Sequence, residues 1–143
     1  MKANAKTEAA VTSAMNKFRE AYRNRDLDGL LKLIARDDDI FMFGTGPDEK
    51  RIGVEQFKFQ AKRDWSQIDA LDFNLTWQQI SAAGPVAWVA ADGQGEGRVG
   101  DQKFAFPMRM TAVLEQRGDE WLFVQMHVST PAPDQEAGDS LPM

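Results

Sequence analysis

The chain has 143 residues, of which 43% are hydrophobic and 27% charged, the profile of a single globular domain. It has no cysteine and one histidine, His127, which excludes disulfides, thiolate nucleophiles and any multi-histidine metal site within one chain. The formal charge is −5 and the basic residues are scattered, whereas phosphate recognition needs a basic patch, so no nucleic-acid partner is expected.

No apolar run approaches the roughly 18 residues that cross a bilayer, and residues 1–8 lack the apolar core of a secretory signal. No membrane partner and a cytoplasmic location are therefore expected. Residues 1–7 and the tail 131–143, acidic with Pro131, Pro133 and Pro142, bury little and read as flexible ends around a domain over 8–130.

Val11, Ala14, Met15, Phe18, Ala21 and Tyr22 recur at helical spacing and predict a first helix over about 7–24. Asp26 reads as an N-cap, and Leu27, Leu30, Leu31 and Ile34 form the stripe of a short second helix. The acidic run 37–39 ends it as a solvated turn. Residues 40–43 (Ile-Phe-Met-Phe) read as a short strand closed by a Gly-Thr-Gly-Pro loop, and Val54, Phe57, Ala61 and Trp65 give a third helix.

From Asp72 the period becomes two, with strands over 86–99, 104–115 and 121–129 separated by turns at 83–85, 100–101 and 117–120. Phe104, Phe106, Met108, Met110, Ala112 and Leu114 are apolar, as are Leu122, Val124, Met126 and Val128, so the even positions predict the core face. The odd positions Arg109, Thr111, Val113, Trp121, Phe123, Gln125 and His127 then face away from the helices. Such a face is too apolar to stay wet, and it predicts a homodimer interface. The order implies an α+β fold with three N-terminal helices packed on an antiparallel sheet. Gly93, Gly95 and Gly97 precede no helix, so they form no phosphate cradle and read as a twisted or bulged hairpin.

The order of these elements resembles the nuclear transport factor 2-like superfamily, in particular its SnoaL-like branch. The likeness rests on residues 22–30 (Tyr-Arg-Asn-Arg-Asp-Leu-Asp-Gly-Leu), the Gly44–Pro47 loop with Arg51-Ile52-Gly53, Arg109-Met110-Thr111, and the closing strand from Trp121 to His127-Val128-Ser129. The resemblance implies a cone-shaped, cystatin-like α+β barrel with a strongly bent sheet and an apolar conical pocket for a small apolar or aromatic molecule. It identifies no cofactor and no metal. The ketosteroid isomerases share this fold, but their tyrosine and two carboxylates fall near Phe18, residues 40–43 and Ala112, so that chemistry is not expected. Kinase association domains are also similar, and a homo-oligomeric scaffold is the alternative reading, although their cavity arginines fall at Ala90, Ala112 and Val128.

The expected pocket walls are Phe18, Tyr22, Met42, Trp65, Trp88, Asp92, Met110, Ala112, Met126 and Val128. Asp92 is either a lone carboxylate at the rim or an exposed strand-end residue beside Gly93. Tyr22 either aims its hydroxyl into the cavity or is a core residue with a wet tip. Arg109 and His127 share a face and form a candidate polar pair. Their parity places them on the outer surface, where interface pairing is expected ahead of catalysis.

Overall fold

A computed structural model describes all residues, 1–143. Helix α1 (Ala5–Arg23) begins where the Asn4 side chain accepts a hydrogen bond from the Thr7 amide at 2.8 Å. Its buried stripe is the one read from the spacing, Val11 through Tyr22. Asp26 caps α2 (Leu27–Leu31) by accepting from the Gly29 amide. This helix is shorter than expected. Ile34 leaves it to form a β-bridge with Phe123, and the main chain of Leu33 and Ala35 bonds both polar groups of Phe123.

Strand β1 (Phe41–Phe43) pairs with β2 (Lys50–Ile52), a strand with no signal in the sequence, across the loop between them. Helix α3 (Val54–Gln67) follows, then the long strands β3 (Ala70–Ala83), β4 (Val86–Val99), β5 (Gln102–Arg117) and β6 (Glu120–Ser129). The spatial order is β2-β1-β6-β5-β4-β3. The sheet is antiparallel except at β1 and β6, which run parallel. The helices and this curled, unclosed sheet make an α+β cone. No helix is long and apolar enough to cross a membrane.

Two irregularities decide which side chains face the helices. Between β5 and β6, Leu114 pairs with Phe123 but Val113 pairs with Gln125, leaving Val124 as an extra residue. The bulge inverts parity, so Trp121 and Phe123 are buried while Leu122 and Val124 are only half-buried. The expectation that Trp121 and Phe123 face outward is thus corrected: both join the core, and Phe123 packs 5.3 Å from Phe18. Met126 and Val128, beyond the bulge, keep the inward orientation expected of them. On β3, Thr76 is the extra residue between Leu75 and Trp77.

The third parity is set by a turn. Gly100 and Asp101 link Val99 to Gln102, so odd positions of β4 lie opposite even positions of β5. Ala87, Val89 and Ala91 therefore face the core, and Trp88, Ala90 and Asp92 lie on the outer face. Gly93, Gly95 and Gly97 continue the inner row. A Cβ on Gly95 would sit 2.2 Å from the Phe106 ring, and one on Gly97 would sit 2.3 Å from Phe104, so these rings lie directly on glycine backbone. At Gly93 the obstacle is the Asn74 carbonyl, 2.0 Å from an added Cβ, where β3 bulges inward.

The N-terminal residues, expected to be loose, extend the sheet edge. Lys2 bridges Ser81, the Ala3 amide donates to the Ile80 carbonyl, and Ala3 is buried. The tail 131–143 is mostly exposed.

The bulge gives a direct test. Phe123→Ala should cost about 3–5 kcal/mol in urea unfolding, as for a buried aromatic. Val124→Ala should cost well under half as much. Similar losses in the two variants would contradict the inversion.

Candidate functional site

The helices cannot follow the sheet along its full length, and a cavity of about 500 Å³ opens between them. Its 26 lining residues include 16 hydrophobic ones, so its walls are mainly apolar. Phe18 and Tyr22 come from α1, Phe57 and Ala61 from α3, Met42 from β1, and Met110, Met126 and Val128 from the inner sheet face.

Of the residues singled out from the sequence, Phe18, Tyr22, Met42, Met110, Met126 and Val128 line this space together. Ala112 is buried on the same sheet face but lies outside the lining. Trp65 also stands one layer back. Its ring packs 5.7 Å from Tyr22, and its indole N–H donates to the Tyr22 carbonyl at 3.0 Å. Trp88 and Asp92 are not in the cavity at all, because the turn at Gly100 sends them to the opposite face, where Asp92 lies across from Arg109 and forms no ion pair.

Arg109 and His127 do share the outer face, but they are not directly opposed. Arg109 lies across from Ser129 and His127 from Thr111, and no hydrogen bond joins the two. The imidazole instead packs 5.3 Å from the Phe43 ring.

The cavity's polar chemistry comes from residues that hydrophobic periodicity does not reveal. Gln60, Asp64 and Glu49 all line it. Gln60 and Asp64 are one turn apart on the α3 face that also carries Phe57 and Ala61, and Glu49 sits just before β2. Gln60 is 2% exposed and spends its whole amide. Its oxygen accepts from Arg51 Nε at 2.9 Å, and its nitrogen donates to Glu49 Oε1 at 2.6 Å and Asp64 Oδ1 at 2.7 Å. The Tyr22 hydroxyl donates to the other oxygen, Asp64 Oδ2. Glu49 also accepts from the Gly46 amide, and Arg63 lies 3.4 Å from it.

A tyrosine and two carboxylates are therefore present, but at positions other than those the ketosteroid isomerase resemblance points to. The visible signal was two polar residues on an otherwise apolar helix face. Burial raises the Asp64 carboxyl above the ordinary aspartate range, against the opposing hydrogen bonds from Tyr22 and Gln60. Burial, reinforced by the neighbouring Asp64 charge, raises the Tyr22 phenol as well.

A raised carboxyl pKa means that the folded state holds its proton more tightly than the unfolded chain. The contribution of Asp64 to stability is then greatest at acidic pH and is lost as pH rises from the ordinary range through the raised value. The difference in urea midpoint between the native protein and Asp64→Asn, which cannot titrate, should change in that sense across that window. A pH-independent difference would contradict the shift. Gln60→Leu removes an opposing donor and should move the Asp64 carboxyl midpoint, followed by carbon NMR, further upward.

Comparison with known proteins agrees with this architecture. No curated protein matches the chain. A nuclear transport factor 2-like superfamily protein from Salmonella enterica superposes with a TM-score of 0.83 at 17% identity, covering 97% of this chain and 100% of its own. A candidate aromatic ring hydroxylase from Novosphingobium aromaticivorans gives 0.81 at 15% identity, over 92% and 94% of the two chains. A protein of unknown function with a cystatin-like fold from Nostoc punctiforme gives 0.77 at 11% identity, over 93% and 97%. At these identities the likeness is one of fold. The sequence model of the SnoaL-like domain matches residues 11–133, and the chain belongs to that family.

Proposed function

We propose that the cone binds a small, largely apolar or aromatic molecule, with its polar end at Tyr22 and Asp64. The observation that carries this reading is the cavity, about 500 Å³ with mainly hydrophobic walls, whose lining holds the hydrogen-bonded cluster of Tyr22, Asp64, Gln60 and Glu49. Whether bound molecules are also turned over is a separate question, but a raised carboxyl beside a phenol is the kind of group that acid–base chemistry uses. The candidate hydroxylase of the same fold is named for aromatic rings, which suits the aromatic lining here.

The tryptophans provide the test. Trp77 lines the cavity and Trp65 packs on Tyr22 one layer back, so both should report occupancy, while Trp88 on the outer face should not. An aromatic ligand at about 100 times its dissociation constant should stabilise the fold by about 2.7 kcal/mol. For a domain of this size that raises the melting temperature by roughly 6–12 °C. Trp77→Phe and Trp65→Phe should each remove part of the emission change and Trp88→Phe almost none. Ala61→Trp, which fills the cavity, should abolish binding; a full response in that variant would remove the proposal.

A second reading, assembly through the outer sheet face, keeps one supporting observation after Trp121 and Phe123 move to the core. No helix covers the surface carrying Phe41, Phe43, Trp88, Val113 and His127, and Phe43 is 40% exposed. Pairing of two copies here predicts a dimer in sedimentation at micromolar concentration that Val113→Arg dissociates. A monomeric native protein would eliminate it.

A further inference from the structure

Of the two carboxylates that line the cavity, Asp64 is the one that makes no direct ion pair. Glu49 has the Arg63 guanidinium 3.4 Å away. Arg19 also lines the cavity, but Asp72 holds it through two hydrogen bonds of 2.8 and 2.9 Å. Asp64 takes part in no ion pair. Its two hydrogen-bond donors, the Tyr22 hydroxyl and the Gln60 amide, are both neutral.

The orientation of Gln60 fixes what Asp64 can still offer. Arg51 Nε donates to the Gln60 oxygen, so the amide nitrogen must point toward the carboxylates, and its two hydrogens are divided between Glu49 and Asp64. Oδ1 of Asp64 is therefore held as an acceptor, and a proton there would face an N–H. A partly buried carboxylate in an apolar cavity is costly unless a cation joins it. The surroundings suit a cation on an apolar body. Phe18, Tyr22 and Phe73 line the cavity as one packed group, with Tyr22 5.2 Å from Phe73 and 6.2 Å from Phe18 and its hydroxyl on Asp64, and aromatic rings attract ammonium groups.

We propose that the ligand of this cavity is an amine, an aromatic or apolar body carrying a protonated nitrogen that pairs with Asp64. This inference rests on the cavity being a binding site and adds the charge class of what it takes. Gln60 then acts as a positioning residue that keeps Asp64 an acceptor.

Three probes of similar size separate the possibilities in calorimetric titration at neutral pH: 2-phenylethylamine as the cation, acetophenone as a neutral acceptor and 3-phenylpropanoate as the anion. The amine should bind about tenfold or more tightly than either of the others. Asp64→Asn should erase that preference by weakening the amine about tenfold or more. Should that variant fail to fold, the order of the three probes on the native protein decides alone.

If acetophenone binds as tightly as the amine, or more so, the amine assignment is overturned, with Asp64 then acting as a protonated donor, while the apolar binding site survives. Preferred binding of the anion would overturn it equally. Absence of binding by all three at millimolar concentration removes both the amine assignment and the binding site it rests on.

Discussion

On the inner face of β4 no side chain is larger than valine. Ala87, Val89 and Ala91 are followed by Gly93, Gly95 and Gly97, a row that shrinks to nothing toward one end of the strand. The neighbouring row on β5 grows in the same direction, from Leu114 and Ala112 through Met110 and Met108 to Phe106 and Phe104. Where both rows are small, their side chains are buried in the core. Where glycine replaces the inner row, the Phe104 and Phe106 rings lie over the bare backbone. The bulge of β3 at Thr76 brings backbone against Gly93 at the same level. Small residues in the centre of a sheet let it curl, and a curled sheet under straight helices leaves an enclosed space.

That space stays open because its polar end is rigid. Gln60 joins three parts of the chain: α3, which carries it; β2, through Arg51; and the loop before β2, through Glu49. Asp64 extends the tie to α1 through Tyr22, and Trp65 repeats it by bonding the Tyr22 carbonyl. Removing the glutamine would leave two acceptors and an arginine donor short of a partner at once, which is why a fully buried amide is tolerated in a position an aliphatic side chain would fill more cheaply. Arg51 Nη2 is already a buried donor without a hydrogen bond, so the network has no slack on that side.

The helices, the turns and the class of fold were legible because each is set by local spacing. Parity was legible only as far as the first irregularity. Counting by twos from Met110 to Leu114 gives the right face, but the same count on β6 fails at Val124, whose extra residue is dictated by pairing with residues 33–35 and not by its own chemistry. On β4 the needed signal was present. A two-residue turn at Gly100-Asp101 opposes odd to even positions, and that alone would have moved Trp88 and Asp92 outward. The cavity's carboxylates were harder to see. Asp64 and Gln60 interrupt an apolar stripe, a pattern usually read as the stripe's edge, and Glu49 is brought to them by a three-residue strand with no periodicity to detect.

Both borders of the sheet are blunted, by different means. At one, β2 is three residues long and carries Lys50 and Arg51. At the other, Met1–Ala3 lie along the end of β3 that would otherwise be bare: Ala82 donates to the Met1 carbonyl and Ala3 to that of Ile80. Farther along β3, Thr76 breaks the straight run of main-chain groups that an added strand would need. Main-chain hydrogen bonding is thereby closed off as a route by which this molecule grows into larger assemblies. The broad outer face of the sheet carries no such obstruction, and a side chain there can change without disturbing the cone behind.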